Sequence, residues 1–278
     1  MSQGLRLGYL MSFLNRVLVW GLQFGFVLSS LVFQVQEADA SKPISEWREI
    51  ADEEGIKVFK REVPGTSFFS FRGVGVVDAD IFDVYAVIFD IKNKTNLLAN
   101  CGDYQLLKYK GLGNLVVYTR TQAPVFFISD RDSVLETEVK FENDKKRILA
   151  NFQKTDDSIF PPVDGAVRTN AVKGGWILEA QPDGKTRLTY EVNADPGGLL
   201  PAWLVNMGSR KLPLNTIRNM REQVLETKAY SRSRMLVKHL YDFSQLVPDG
   251  HHALQKDPAD ASRFQELLKA YKSEAKFP

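Results

Sequence analysis

The sequence predicts an α+β fold in which a curved antiparallel β-sheet wraps around a long C-terminal helix and encloses a hydrophobic cavity. Three observations carry this reading. Thr186 to Ala194 alternates, with Leu188, Tyr190 and Val192 on one side and Arg187, Thr189, Glu191 and Asn193 on the other, the period-two signature of a half-buried strand. Asp195-Pro196-Gly197-Gly198 then stops the strand, and an amphipathic helix begins near Pro201, where proline is tolerated. Upstream, a run of strand-like segments is separated by tight-turn residues, and strands joined in this way are antiparallel neighbours. The terminal helix must find an apolar surface, and the mouth of the curved sheet supplies one.

Composition bounds the class. The chain has 278 residues, 44% of them hydrophobic, which suits one domain with a substantial core. Lys+Arg 36 against Asp+Glu 34 leaves a net charge of only +2, which gives no basis for binding nucleic acid. Cys101 is alone, so there is neither an internal disulfide nor a cysteine cluster for zinc. His239, His251 and His252 all lie beyond the expected domain. No cofactor or metal is implied.

The first forty residues read as a targeting segment. Arg6 and Arg16 are the only charges before Glu37, Val17 to Val35 is mostly apolar, and Ala38-Asp39-Ala40 has the small-x-small form of a signal-peptidase site. The expectation is an export signal cleaved after Ala40, which places the domain in the periplasm. The alternative is an uncleaved anchor in the inner membrane, facing the periplasm.

The domain follows over residues 44–227. Ser45-Glu46-Trp47 is expected to start a short helix capped by Ser45. Ile56 to Val63 and Phe68 to Val77 form a hairpin around Pro64-Gly65. Asp78 or Asp80 caps the next helix, in which Ile81, Val84, Tyr85 and Ile88 share a face. A polar break at Asn93-Lys94-Thr95-Asn96 follows. Strands are then expected over Tyr104–Lys110, Asn114–Ala123, Arg131–Glu142, Arg147–Lys154 and Arg168–Ala180, with a proline-bearing loop over Asp156–Gly165. In the terminal helix, Ile217, Met220 and Val224 form the core stripe, while Arg210, Lys211, Arg218 and Arg221 form a basic strip, and Pro213 interrupts the projection. Leu199, Leu200 and Trp203 are apolar tips ahead of it, and with the basic strip they suit transient contact with an anionic membrane. The alternative is an ordinary solvated face whose lysine and arginine stems cover the sheet rim. Residues 228–278 read as a helical extension, with amphipathic segments over Arg232–Val247 and Ala259–Ala275.

Several of these pieces together resemble the START domain, the steroidogenic-acute-regulatory-related lipid transfer family. They are Trp47 ahead of Gly55-Ile56-Lys57-Val58, Asp130-Arg131-Asp132 opening a strand, Gly174-Gly175-Trp176 late in the sheet, and Asp195-Pro196-Gly197-Gly198 before Leu200–Asn206 and Pro213. Asn96-Leu97 departs from the tryptophan often found in that region. The resemblance implies a helix-grip architecture and the binding of a lipid or sterol.

Cavity candidates come from alternation and from that resemblance. On Arg131–Glu142, Leu135, Thr137, Val139 and Phe141 form the apolar face and point inward. On Asn114–Ala123 both faces are mixed: Val116, Tyr118 and Arg120 against Leu115, Val117 and Thr119. The family register places Arg120 inward near Thr137, where its guanidinium would meet a phosphate or carboxylate headgroup. The alternatives are that Arg120 faces solvent or pairs with Glu138 or Glu191. Tyr118, Trp176, Tyr190, Trp203 and Ile217 complete the candidate set, with core packing as the alternative for the strand aromatics. Arg131 is read as tying its strand start to neighbouring acids, and Asp195 as an Asx-turn residue.

The leading function is non-enzymatic binding and transfer of a lipid, sterol or other hydrophobic ligand. One alternative is an enzyme of the helix-grip superfamily, a cyclase or hydrolase on a hydrophobic substrate. It lacks a core histidine, and Cys101 has no histidine base in the domain, so it would rest on a single acid such as Glu191. The other alternative is an envelope protein that binds a partner.

Overall fold

In the computed structural model, described over residues 45–111, 114–123, 127–142 and 144–226, the chain forms one ten-stranded sheet and, among the described residues, four α-helices. The expected export signal and the helical extension lie outside the described residues. The strands are β1 (Arg48–Glu53), β2 (Ile56–Arg61), β3 (Ser70–Val77), β4 (Cys101–Gly111), β5 (Asn114–Thr121), β6 (Asp130–Glu142), β7 (Arg147–Lys154), β8 (Ala166–Arg168), β9 (Ala171–Ala180) and β10 (Thr186–Asp195). Their order across the sheet is β1-β2-β3-β10-β9-β7-β6-β5-β4, antiparallel throughout, with β8 beside β6 in parallel. Pairing of β10 with β3 joins the N-terminal hairpin to the end of the meander.

The N-terminal segment corrects one expectation. Residues from Arg48 form a strand, and the Ser45 hydroxyl accepts from Glu62 N–H at 2.7 Å instead of capping a helix. Trp47 explains the difference: its ring packs against the guanidinium groups of Arg61 and Arg72, 4.3 and 4.1 Å from the ring centroid. That contact holds the chain extended along β2.

Helix α1 (Ile81–Phe89) starts at Asp80, whose Oδ1 accepts from the N–H groups of Phe82 and Asp83 at 2.8 and 3.0 Å. The short α2 (Lys94–Leu97) follows. The expected long C-terminal helix is two helices, α3 (Ala202–Ser209) and α4 (Leu212–Leu225), because Pro213 has no N–H for the preceding turn and the helix restarts around it. Ile217, Met220 and Val224 of α4 are buried against a core that includes Ile56, Val58 and Leu188. Close approach is possible because β3 carries Gly73, where an added Cβ would sit 2.8 Å from Pro213 Cβ.

A second, smaller apolar cluster lies on the outer face of the sheet. Val116, Tyr118 and Val134 are buried there, and Phe160 from the β7–β8 connection stacks on Tyr118 at 4.5 Å between centroids. Arg168 ties that connection down: its Nη1 donates to the Phe160 carbonyl and its Nη2 to the Pro161 carbonyl, both at 3.2 Å. The same guanidinium forms a fork with Asp132, at 2.9 and 3.0 Å.

Candidate ligand cavity

Between the inner face of the sheet and the helices lies a cavity of about 250 Å³. Alternation sets its wall. Leu135, Thr137 and Val139 of β6 face it because Glu136 and Glu138 take the opposite side of the pleat, and Trp176 and Tyr190 face it from paired positions on β9 and β10. The two rings pack 4.4 Å apart, and Phe152 stacks beyond Tyr190 at 6.3 Å. Tyr85 and Phe89 of α1, with Val205 and Leu212 of the C-terminal helices, close the space.

The wall's polar groups are mostly hydroxyls held by the fold. Thr137 Oγ1 accepts from Leu115 N–H at 3.0 Å, Ser133 and Thr169 hydroxyls meet at 2.8 Å, and Thr216 Oγ1 accepts from Ala99 N–H at 3.2 Å. Burial pushes the phenols of Tyr104 and Tyr190 well above the ordinary tyrosine range, so both stay neutral. The charged residues on the wall are Lys94 and Arg131, and no carboxylate is among the residues that line it. Lys94 is 5% exposed. Burial pushes its ammonium down to about 8, opposed chiefly by the charge of Asp90. Arg131 gives its donors to backbone carbonyls: Ser129 at 2.5 Å, Pro196 at 3.1 Å and Gly197 at 3.4 Å. It fastens the 195–198 turn, where an acid partner was expected. Asp195 makes the expected Asx turn, accepting from Gly197 N–H at 2.9 Å.

Of the residues singled out from sequence, Leu135, Thr137, Trp176 and Tyr190 come together on the cavity wall. Four others lie elsewhere. Tyr118 and Arg120 point to the outer face, Tyr118 under Phe160 and Arg120 Nε against Asp130 Oδ2 at 2.8 Å. The register is the reason: β5 turns Leu115, Thr119 and Thr121 to the cavity, and Arg120 pairs across β6 with the outward Asp132. Ile217 is fully buried where α4 meets β3, against Gly73 and Gly75. Trp203 is 67% exposed on α3, with Met207 one turn on at 57% and Leu199 fully exposed just before. Glu191, the acid the enzyme alternative would need, lies on the outer face and accepts from Arg72 Nε at 2.6 Å.

The basic strip is divided. Arg210 and Lys211 are exposed. Arg218 instead binds Glu54 and Glu53 at 2.9 and 3.2 Å, and Arg221 donates to the carbonyls of Val76 and Glu54, each at 2.9 Å. Those two arginines lock α4 to the β1–β2 turn. Their donors are engaged by the domain itself, so of the expected basic strip Arg210 and Lys211 are the exposed members among the four.

Sequence reasoning missed Lys94, which sits in a run of polar residues that reads as a solvated turn. The available signal was its neighbourhood: Ile88, Phe89 and Ile91 before it and Leu97-Leu98 after it. A broader depression of about 740 Å³ lies along the sheet, but Glu136, Glu138, Lys173 and Glu191 face it, and it has the charged character of an ordinary solvated sheet face.

Comparison with known proteins gives a consistent picture. A START domain family model matches residues 34–229. An uncharacterised protein of Pseudomonas aeruginosa is 31% identical over 196 residues, spanning 70% of this chain and 93% of that protein. The phosphatidylcholine transfer protein of Bos taurus is 25% identical over 181 residues, spanning 63% of this chain and 82% of that protein. A STAR-related lipid transfer protein fragment from Xanthomonas axonopodis matches with a TM-score of 0.59 and 29% identity, over 65% of this chain and 99% of the fragment. Human StAR-related lipid transfer protein 5 shares the fold, with a TM-score of 0.58 and 21% identity over 76% of this chain and 99% of that one.

Proposed function

Because this chain belongs to the START domain family, we propose that it binds a lipid, sterol or other hydrophobic ligand in the cavity and carries it between membranes, without catalysis. The observation that carries the reading is the cavity itself: concave, walled by aromatic and aliphatic side chains, with a few fixed polar groups, which is the make-up of a small-molecule site. Relatives named for lipid and phosphatidylcholine transfer support it.

Loading requires contact with a membrane. Leu199, Trp203 and Met207 form an exposed apolar ridge at α3, and Val205 and Ser209 of the same helix line the cavity. Arg210 and Lys211 follow at its end, so an apolar insertion and a cationic contact stand side by side. The setting proposed for this work is the periplasm, reached by the N-terminal export signal.

The direct test is native mass spectrometry of mature protein purified from its own membrane extract, with organic extraction of what is bound. A stoichiometric amphiphile supports the carrier reading. A protein that is empty, and that also takes up nothing from liposomes, sinks it. For the contact surface, the double variant Trp203→Ser with Met207→Ser should lose binding to anionic vesicles while its unfolding midpoint stays unchanged.

A further inference from the structure

We infer that the cavity selects an amphiphile with an anionic headgroup, a carboxylate or a phosphate, whose oxygens pair with the ammonium of Lys94. This rests on the carrier reading and goes further by naming the ligand's charge and the residue that meets it.

Three observations lead there. First, the wall is electrostatically one-sided: Lys94 and Arg131 line it and no Asp or Glu does. Second, the two cations are not equivalent. Arg131 is engaged by the carbonyls of Ser129, Pro196 and Gly197, and it is only half-buried. Lys94 is buried, and its Nζ donates to the Ile88 carbonyl at the end of α1 and lies 5.3 Å from the Tyr104 ring centroid. An ammonium has three donors, and one carbonyl leaves capacity for a ligand. Third, Asp90, the acid whose charge acts on Lys94, gives its oxygens to other donors. Asp90 accepts from Lys92 N–H, Asn93 N–H and Asn93 Nδ2, at 3.0, 3.4 and 2.8 Å, and among the described residues Lys94 makes no ion pair. Burial outweighs the pull of the Asp90 charge on this ammonium, and a neutral ligand would deepen the burial without supplying a further counter-charge. An oxyanion supplies it.

The cavity volume narrows the ligand as well. At about 250 Å³ it lies at or below the lower end of small-molecule pockets, roughly 300–1,000 Å³, which suits one chain better than two.

The group facing Lys94 from β4 is Tyr104, from the α1–α2 connection Asp90, and from the start of β4 Cys101. Both Tyr104 and Cys101 are held protonated by burial, so the ligand's anion is the partner that changes the ammonium's state. Pairing raises the lysine's affinity for its proton, and binding an anion near pH 8.5 should therefore draw a proton from the buffer.

The experiment uses the mature full-length protein and two fluorescent probes with the same chain, cis-parinaric acid and its methyl ester. The expected result at pH 7 is at least tenfold tighter binding of the acid. Lys94→Met should abolish that preference, weakening the acid and tightening the ester, whose binding no longer leaves an ammonium unpaired, and Arg131→Gln should keep it. Titration calorimetry of the acid in buffers of differing ionisation heat should give proton uptake near pH 8.5 for the native protein and none for Lys94→Met. Displacement of the bound acid by oleate or by lysophosphatidate distinguishes the carboxylate from the phosphate source, either one supporting the inference. Equal binding of acid and ester by the native protein overturns it while leaving the carrier reading intact, and so does a preference that survives Lys94→Met. Failure of both probes to bind removes the carrier reading and this inference with it.

Discussion

Gly73 of β3 lies directly beneath Pro213 of α4. A Cβ built on the glycine would stand 2.8 Å from the proline Cβ and 2.9 Å from Ile217 Cδ1. The helix grips the sheet at a point where no side chain fits between them. Gly73→Ala should therefore destabilise by about 1–3 kcal/mol through overpacking. Gly75→Ala, where the nearest atoms are 3.2 Å away, should cost less. Urea unfolding midpoints for the two variants check the order, and a Gly73→Ala protein as stable as the native one would contradict the close approach.

The Asp132–Arg168 fork holds the outer cluster. Asp132 is 1% exposed, so removal of its partner strands a buried carboxylate. Arg168→Met should lower stability by about 3–5 kcal/mol. Pairing it with Asp132→Leu should recover most of the loss, since no buried charge remains. A double-mutant cycle by chemical denaturation measures the coupling, and ligand affinity per folded molecule should not change, because the pair lies on the face away from the cavity.

Lys94 gives the fold a pH dependence of defined sign. Its folded-state pKa is depressed to about 8 from 10.5. Below about pH 8 it is charged in both states, and its burial cost is fully present. Between 8 and 10.5 the folded protein has shed a proton that the unfolded chain still binds, so stability contributed by this group rises with pH. The gap corresponds to roughly 3 kcal/mol. Cys101 and Tyr104, whose folded pKa values are raised, work in the opposite direction at alkaline pH. The clean readout is the difference between native protein and Lys94→Met: the variant should be more stable near neutrality, with the advantage shrinking as pH approaches 10.

Asp80 anchors the first helix through two backbone N–H groups. Asp80→Ala should cost about 1 kcal/mol, and Asp80→Asn much less, in thermal unfolding.

What could be read from sequence depended on how many faces of an element are covered. On β6, Glu136 and Glu138 marked the solvent side, so Leu135, Thr137 and Val139 were placed correctly. On β5, Val116 and Tyr118 are as apolar as Leu115 and Val117, because the connection carrying Phe160 covers the outer face as well. Alternation had nothing to separate, so the inward placement of Arg120 rested on the family register alone, and the structure instead pairs it with an acid on the outer face, Asp130 rather than Glu138 or Glu191. The strand-to-helix handover at Asp195 to Pro201 was legible because Pro196, Gly197 and Gly198 leave the chain few other options. The short strand at Arg48–Glu53 was not, since Trp47 is fixed by two arginines far along the chain. Lys94 was invisible for a different reason. A lysine between asparagine and threonine gives no local sign of burial, which comes from helices and strands that close over it.

The Pro213 break has an energetic consequence. Helix α4 contributes Pro213, Leu214, Thr216, Ile217, Met220 and Val224 to the interior, whereas α3 buries none of its residues. What fastens α3 to the hairpin is Asn206, which accepts from Phe69 N–H at 2.9 Å and donates to the Ser67 carbonyl at 3.0 Å. Arg210 and Lys211 thus separate a well-buried helix from a lightly held one. Amides of α3 should exchange with solvent through a local opening, while those of α4 wait for global unfolding. On the carrier reading proposed above, that opening would admit cargo at a small, separately adjustable free energy, without drawing on the margin that keeps the protein folded.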